Sequence, residues 1–150
     1  MLTNGKSKLE IRDLTGPYLG KTFLETLSNL AETEIAPDKR GEIFRHRLSN
    51  NVRTYIAVED GEVVGTISLL LMREFIHNGA LSGRIADVAV RKGWERKGIG
   101  TVLIKHATEQ ARNMGCYKVT LSCYEDLVKL YEKAGYRKHD CGMRIDLEKQ

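Results

Sequence analysis

The feature that most constrains this chain is a basic, glycine-rich loop at residues 91–98, between an apolar strand and a helical stretch. Gly98 and Gly100 leave the backbone open to an approaching ligand, because neither carries a side chain. A helix that starts near Ile99 presents unpaired N–H groups and the positive end of its dipole. The segment therefore predicts a site for a phosphate or pyrophosphate group, with a plain surface turn as the alternative.

The loop lacks both of the common nucleotide-binding patterns. It contains neither the G-x-G-x-x-G fingerprint of dinucleotide-binding folds nor the glycine-lysine ending of the Walker motif. ATP and NAD are therefore disfavoured as ligands.

The composition predicts one globular domain over residues 1–150, with 41% hydrophobic and 29% charged residues. The net charge is +4, but the basic residues are dispersed among 20 acidic ones, so we expect no nucleic-acid partner. Three cysteines without CxxC or histidine-paired spacing predict neither a metal site nor a disulfide framework. Without a signal-peptide core or a membrane-length apolar run, we expect a soluble intracellular protein with no membrane partner, cytoplasmic or in an organelle.

The spacing of apolar residues predicts strands and helices in a mixed order. In sequence these are an edge strand at 9–14, a helix after Pro17, a helix from Pro37 to Leu48, a hairpin of strands at 54–58 and 63–72, a strand ending at Val90, a helix from Ile99 to Met114, a strand at 117–123, a short helix at 127–134 and a final strand before Leu147. This order predicts an α/β fold with a mixed sheet flanked by helices.

The glycine-rich loop resembles the acyl-CoA loop of the GNAT acetyltransferase superfamily. The family pattern is glutamine or arginine, two residues, glycine, any residue, then glycine or alanine, and residues 95–100 follow it except at Glu95. The resemblance implies the GNAT fold, with a mostly antiparallel sheet, and acetyl-CoA as cosubstrate. The cofactor contacts that it implies are Val88, Ala89, Val90, Glu95, Arg96, Lys97, Gly98, Ile99, Gly100 and Thr101.

Two blocks in the last third resemble eukaryotic glucosamine 6-phosphate N-acetyltransferases. Residues 115–123 begin with the family's glycine-cysteine-tyrosine-lysine sequence, and residues 128–136 contain its tyrosine-glutamate-lysine block. Residues 73–77 and 83–88 match the family's central region in placement. The resemblance implies acetylation of glucosamine 6-phosphate, within UDP-GlcNAc biosynthesis, by a homodimer with its sites at the two-fold interface.

Tyr131 is the candidate proton source for the thiolate that leaves during acetyl transfer. A phenol has a pKa of about 10 and is protonated at neutral pH. The resemblance places the family's tyrosine at this position, beside the cofactor. Spacing alone favours a core role, because Tyr131 lies on one helix face with Leu130 and Ala134.

Asp87 is the candidate catalytic carboxylate, since it lies in an otherwise apolar strand where an unpaired charge is costly. The alternative is a turn or an interface salt bridge. The family has a second carboxylate before this position and another in the following strand, where this chain has Ala86 and Ser122. We therefore expect Asp87 to orient the amine or the sugar hydroxyls, with Ser122 as a neighbouring substrate contact.

Arg73 and His77 are the candidates for the sugar-phosphate end of the substrate, by the same resemblance. Arginine suits a phosphate because its guanidinium offers paired, permanently charged donors. Glu74 replaces a basic residue of the family, which counts against unchanged phosphate recognition.

We expect direct transfer in a ternary complex, because Cys123 has no paired histidine to support an acetyl-enzyme. Three alternatives stay open at this stage. They are transfer to another small amine or a protein amine, a nonenzymatic acyl-CoA sensor, and a basic nucleic-acid-binding domain.

Overall fold

A long hairpin around the Asp60-Gly61 turn forms the centre of the fold. Both turn residues have positive φ, 51° and 75°, as a tight two-residue hairpin requires. The computed structural model describes residues 8–148, and within them this hairpin lies in a sheet of five strands that neighbour one another in sequence order. The neighbouring strands are antiparallel except the last two, which are parallel.

Helices connect the strands and cover both faces of the sheet. The strands are β1 (Glu10–Asp13), β2 (Val52–Glu59), β3 (Glu62–Arg73), β4 (Leu81–Val90) and β5 (Cys116–Thr120). The helices are α1 (Lys21–Leu27), α2 (Pro37–Ser49), the single irregular turn α3 (Ile76–Gly79), α4 (Ile99–Asn113) and α5 (Val128–Lys133). Short 3₁₀ turns at Gly16–Tyr18 and Glu125–Leu127 precede α1 and α5.

The core has two parts, one on each face of the sheet. On one face α4 and Tyr131 of α5 pack against buried side chains of the central strands. On the other face a smaller cluster joins α1 to β2 and β3 through Phe23, Ile56 and Val63. Helix α2 contributes no fully buried residue, so it lies over this second face more loosely than α1.

The sequence predicted this element order correctly except near the C-terminus. The expected strand at 117–123 is shorter and ends at Thr120, and the helix after Pro17 ends at Leu27, which leaves Leu30 half exposed. The predicted final strand is wrong, because residues 134–148 form no strand. An alternating segment becomes a strand only against a free edge, and here Met143 and Ile145 are 96% and 81% exposed.

None of the helices within residues 8–148 is long and apolar enough to cross a membrane. The same residues contain no cluster of three or more histidine, cysteine or acidic side chains that could hold a metal ion.

Candidate active site

The second half of β4 has an open edge. The parallel pairing with β5 runs from Leu81 to Arg84, where Arg84 faces Thr120, and ends there. In the described chain the β5-facing backbone groups of residues 85–90 therefore have no strand partner. An extended, amide-bearing ligand could satisfy these groups by adding as a strand.

A β-bulge lies within this open segment. Ser68 pairs with Ala86 and Thr66 with Ala89, so Asp87 and Val88 together face the single residue Ile67. Asp87 takes a left-handed conformation with φ 51°, which aspartate tolerates better than most residues. Bulges of this kind redirect side chains and are frequent beside active sites. The exposed Asp87 side chain therefore avoids the cost of burial that its apolar neighbours suggested.

The loop after β4 ends at the N-terminus of α4. Gly98 is the N-cap with φ 80°, a conformation that favours glycine, and its carbonyl accepts the N–H of Val102. The N–H groups of the first helical turn have no partner within the helix and point toward the loop. A Cβ built on Gly100 meets only Val90, at 3.9 Å, so the space above this turn is open. This is a helix N-terminus that an anion can approach, and its role as a phosphate site stays a prediction.

Glu95, the departure from the family pattern, binds its own loop. Its Oε2 accepts a 2.7 Å hydrogen bond from the backbone N–H of Gly93. The Lys97 ammonium lies 4.6 Å from the centre of the Trp94 ring, a cation–π contact that the sequence gave no reason to expect. The Glu95 carboxylate therefore stabilises the loop, and Arg96 and Lys97 keep its surface basic.

The position of Tyr131 is compatible with both roles that the sequence left open, a core residue and a proton donor. Its ring is 7% exposed and packs in the core beside α4, 6.1 Å from the Tyr136 ring. Among residues 8–148 its hydroxyl has no hydrogen-bond partner, yet it is not sealed in. Burial raises the pKa of Tyr131 above the usual 10, with smaller contributions from Cys123 and Tyr136. The phenol is therefore a fixed, protonated group whose hydroxyl is free to meet a ligand.

A pocket of about 120 Å³ adjoins Asp87 on the face covered by α1 and α2. The sheet forms the floor of the pocket, where Thr54, Thr66 and Ser68 line it. The helices α1 and α2 and their loops form its roof, which is largely apolar. Arg47 of α2 reaches down to this floor and donates hydrogen bonds to Ser68 Oγ at 2.7 Å and to Thr54 Oγ1 at 3.2 Å. The sequence did not single out Arg47, because α2 has no regular apolar stripe that would orient it.

The other predicted substrate residues do not all lie together. Ser122 follows β5, where its Oγ accepts a 2.9 Å hydrogen bond from Arg84 of β4. Arg73 and His77 lie before the start of β4, and Asp87 lies six residues beyond Leu81, about 20 Å along the strand. Arg73 donates to the Gly79 carbonyl at 2.9 Å, and the centre of the His77 ring lies 4.7 Å from that of the tilted Tyr117 ring. Within one chain these two residues are therefore separate from Asp87.

Glu74 belongs to the same distant cluster. The Tyr117 hydroxyl lowers the pKa of Glu74, with Lys118 and Ser82 acting in the same direction. The substituted acid is therefore charged and interacts with its own neighbours at the start of β4 and β5.

Comparison with known proteins decides the family. Residues 21–136 match the acetyltransferase (GNAT) family. The chain belongs to this family. The match spans the open edge of β4, the bulge and the start of α4.

Named relatives and a solved structure also match this chain over most of its length. A glucosamine 6-phosphate N-acetyltransferase of Trypanosoma brucei brucei is 35% identical, over 93% of this chain and 96% of the relative. A probable glucosamine 6-phosphate N-acetyltransferase of Drosophila melanogaster is 31% identical over 88% of this chain, which spans 62% of that relative. The crystal structure of glucosamine-6-phosphate N-acetyltransferase from Arabidopsis thaliana superimposes with a TM-score of 0.89 at 25% identity, covering 94% and 99% of the two chains.

Replacing Gly100 by valine tests the anion site at the start of α4. An added Cβ there meets only Val90, at ordinary van der Waals distance, so the fold should persist while CoA affinity falls by at least tenfold. Titration calorimetry with CoA and with desulfo-CoA measures the loss. Gly20→Val is the matched control, because Gly20 is the N-cap of a different helix, α1, and an added Cβ there meets no atom within 4 Å. Unchanged CoA affinity in folded Gly100→Val protein would remove the pyrophosphate from this site.

Proposed function

We propose that this GNAT domain transfers the acetyl group of acetyl-CoA directly to the amine of glucosamine 6-phosphate, giving N-acetylglucosamine 6-phosphate for UDP-GlcNAc synthesis. The assignment of this substrate rests on the 35% identity to the T. brucei brucei glucosamine 6-phosphate N-acetyltransferase over nearly the whole of both chains. The chain supplies groups that suit the chemistry, namely a helix N-terminus open to an anion, an open strand edge and a protonated phenol.

Acetyl-CoA supplies the activated acetyl group. The backbone of residues 98–101, at the start of α4, suits its pyrophosphate, with Arg96 and Lys97 adding positive charge. The free edge formed by Val88, Ala89 and Val90 suits the amide-containing pantetheine arm, because it offers strand-like hydrogen bonds. The two features adjoin, since a Cβ on Gly100 of α4 would lie 3.9 Å from Val90 Cγ2, so one ligand can use them together.

The chain's own residues then have distinct tasks in the transfer. A neutral amine attacks the thioester carbonyl, the new N–C bond forms and the C–S bond breaks. Tyr131 gives its proton to the departing sulfur, since its raised pKa keeps it protonated at neutral pH. The attacking nitrogen loses its extra proton to solvent water, and the Tyr131 phenolate recovers a proton from solvent, so the products are the amide and the free CoA thiol. Asp87, redirected by the bulge, orients the acceptor through its amine or hydroxyl groups.

A homodimer would explain the position of Arg73 and His77. They are too far from Asp87 in one chain, so their proposed contact with the sugar phosphate requires a second copy. Two exposed apolar patches could form the interface. One contains Phe75 and Ile76 beside Arg73, and the other contains Ile145 and Leu147 in the C-terminal segment. The alternation at 143–147 is that of a strand, which a second chain could pair.

We also place the reaction inside the cell, in the cytoplasm or an organelle. The three cysteines form no disulfide in the described chain, and two of them are exposed, which suits a reducing compartment.

Changing Tyr131 to phenylalanine keeps the ring packing and removes the acid. The chemical step in single-turnover experiments should slow by roughly 10- to 10,000-fold, with acetyl-CoA affinity little changed. Because burial raises the pKa of Tyr131, any loss of wild-type rate from its ionisation should begin at a higher pH than for an ordinary phenol. Tyr124→Phe, at an exposed tyrosine, is the control. A wild-type rate in Tyr131→Phe would leave the residue a core role only.

The acceptor assignment predicts a preference for the phosphorylated sugar. Glucosamine 6-phosphate should exceed glucosamine by at least about tenfold in kcat/KM, since one charge-assisted contact is worth more than about 1 kcal/mol. Arg73→Ala should reduce only the activity on the phosphorylated sugar, and Arg112→Ala, at an exposed arginine in the last turn of α4, should change neither. Thiol release across a panel of amines measures this. Preferred acetylation of a polyamine or peptide amine would refute the hexosamine assignment.

The dimer is predicted to persist in dilute solution, with a mass by light scattering twice the chain's 17.0 kDa. Ile145→Asp should shift the protein toward monomer, because it places a charge in the apolar stripe of the C-terminal segment. Arg144→Gln, on the alternate face, should not. A fully active monomer would contradict the shared site.

A further inference from the structure

Two arginines of α2 face the same pocket as Asp87. Arg40 and Arg47 are seven residues apart, two helical turns, and therefore lie on one face of the helix. Both line the pocket, and Asp87 is the acidic residue in its lining. Arginine and carboxylate thus occupy different walls of a single small space.

Neither arginine is neutralised within residues 8–148. The ion pairs found there involve other residues. Arg47 binds the neutral hydroxyls of Ser68 and Thr54, and Arg40 Nε donates to the Ile35 carbonyl at 2.9 Å. Both side chains are half-buried. A cation held partly out of water without a counter-ion is unfavourable, so the pair is suited to bind an anion.

The rest of the pocket strengthens that attraction. The remaining roof residues are leucine, isoleucine and phenylalanine side chains of α1, α2 and neighbouring loops. An apolar wall lowers the local dielectric constant, and ion pairing between a guanidinium and an anion is stronger there than at an open surface.

We infer that Arg47, assisted by Arg40, holds the phosphate of the acceptor within one chain, while Asp87 across the pocket orients its amine. This assignment rests on the proposed function and names a specificity-determining residue for it. A hexosamine phosphate carries a cationic group and an anionic group at different positions on one ring, which matches the two walls. Arg73 of a second copy could add a contact but is not required for this one.

Four variants separate charge from structure. Arg47→Met removes the charge and also the tether between α2 and the sheet. Ser68→Ala weakens the tether and keeps the charge. Arg47→Lys keeps a cation of different shape, and Arg45→Met changes an exposed arginine on another face of α2. For each, initial rates give kcat and KM with glucosamine 6-phosphate and glucosamine, and calorimetry gives binding of each sugar to the CoA-loaded protein.

The expected result is a loss of at least tenfold in the preference for the phosphorylated sugar in Arg47→Met, through its KM, with the KM for acetyl-CoA unchanged. Arg47→Lys should recover part of the preference, and Ser68→Ala and Arg45→Met should keep it. An equal fall for both sugars in Arg47→Met, or an unchanged preference, overturns the inference and leaves the proposed function standing. Binding of the phosphorylated sugar without turnover refutes the proposed function alone, and no binding by wild-type protein refutes both.

Discussion

Close packing of α4 on Gly65 is the contact on which the geometry of the site depends. A Cβ at Gly65 would lie 2.7 Å from Ile99 Cγ2 and 2.9 Å from Leu103 Cδ1, closer than real side chains approach. The absence of a side chain lets the first turns of α4 rest directly on β3. Because β3 also pairs with β4, this contact fixes the anion-binding end of the helix relative to the open edge of β4.

The open half of β4 is held in place although it has no partner on its β5 side. The backbone N–H of Arg91 donates to the Val64 carbonyl at 2.8 Å, and its guanidinium binds Glu62 at 2.9 Å and Glu25 at 3.0 Å. Asn29 donates to the Val90 carbonyl at 2.5 Å. The end of β4 is therefore tied to α1 and β3, so the groove beside it is a fixed feature that a ligand can enter without reorganising the sheet.

Local patterns predicted what depends on local chemistry. The Asp-Gly hairpin turn and the apolar stripe of α4 predicted the element order, and the glycines of the loop predicted the position of the turn into α4. The bulge at Asp87 could not be predicted, because it depends on how Ser68 and Thr66 pair with another strand. Arg47 was missed because α2 is mostly polar, and the final strand was wrongly predicted because pairing needs an edge that residues 8–148 do not supply.

The departures from the family pattern differ in their electrostatic consequences. Glu95 interacts with its own loop, and Glu74 with Tyr117 and Lys118, so neither acid faces the pocket beside Asp87. Ala86 and Ser122, in contrast, remove negative charge near it, and Arg84 is left with the neutral Ser122 hydroxyl as its acceptor. Arg84 and Ala86 share a face of β4, and Ala86 pairs with Ser68 of the pocket floor. Without those carboxylates this side of the sheet is more positive, which favours an acceptor that carries a phosphate over its unphosphorylated counterpart.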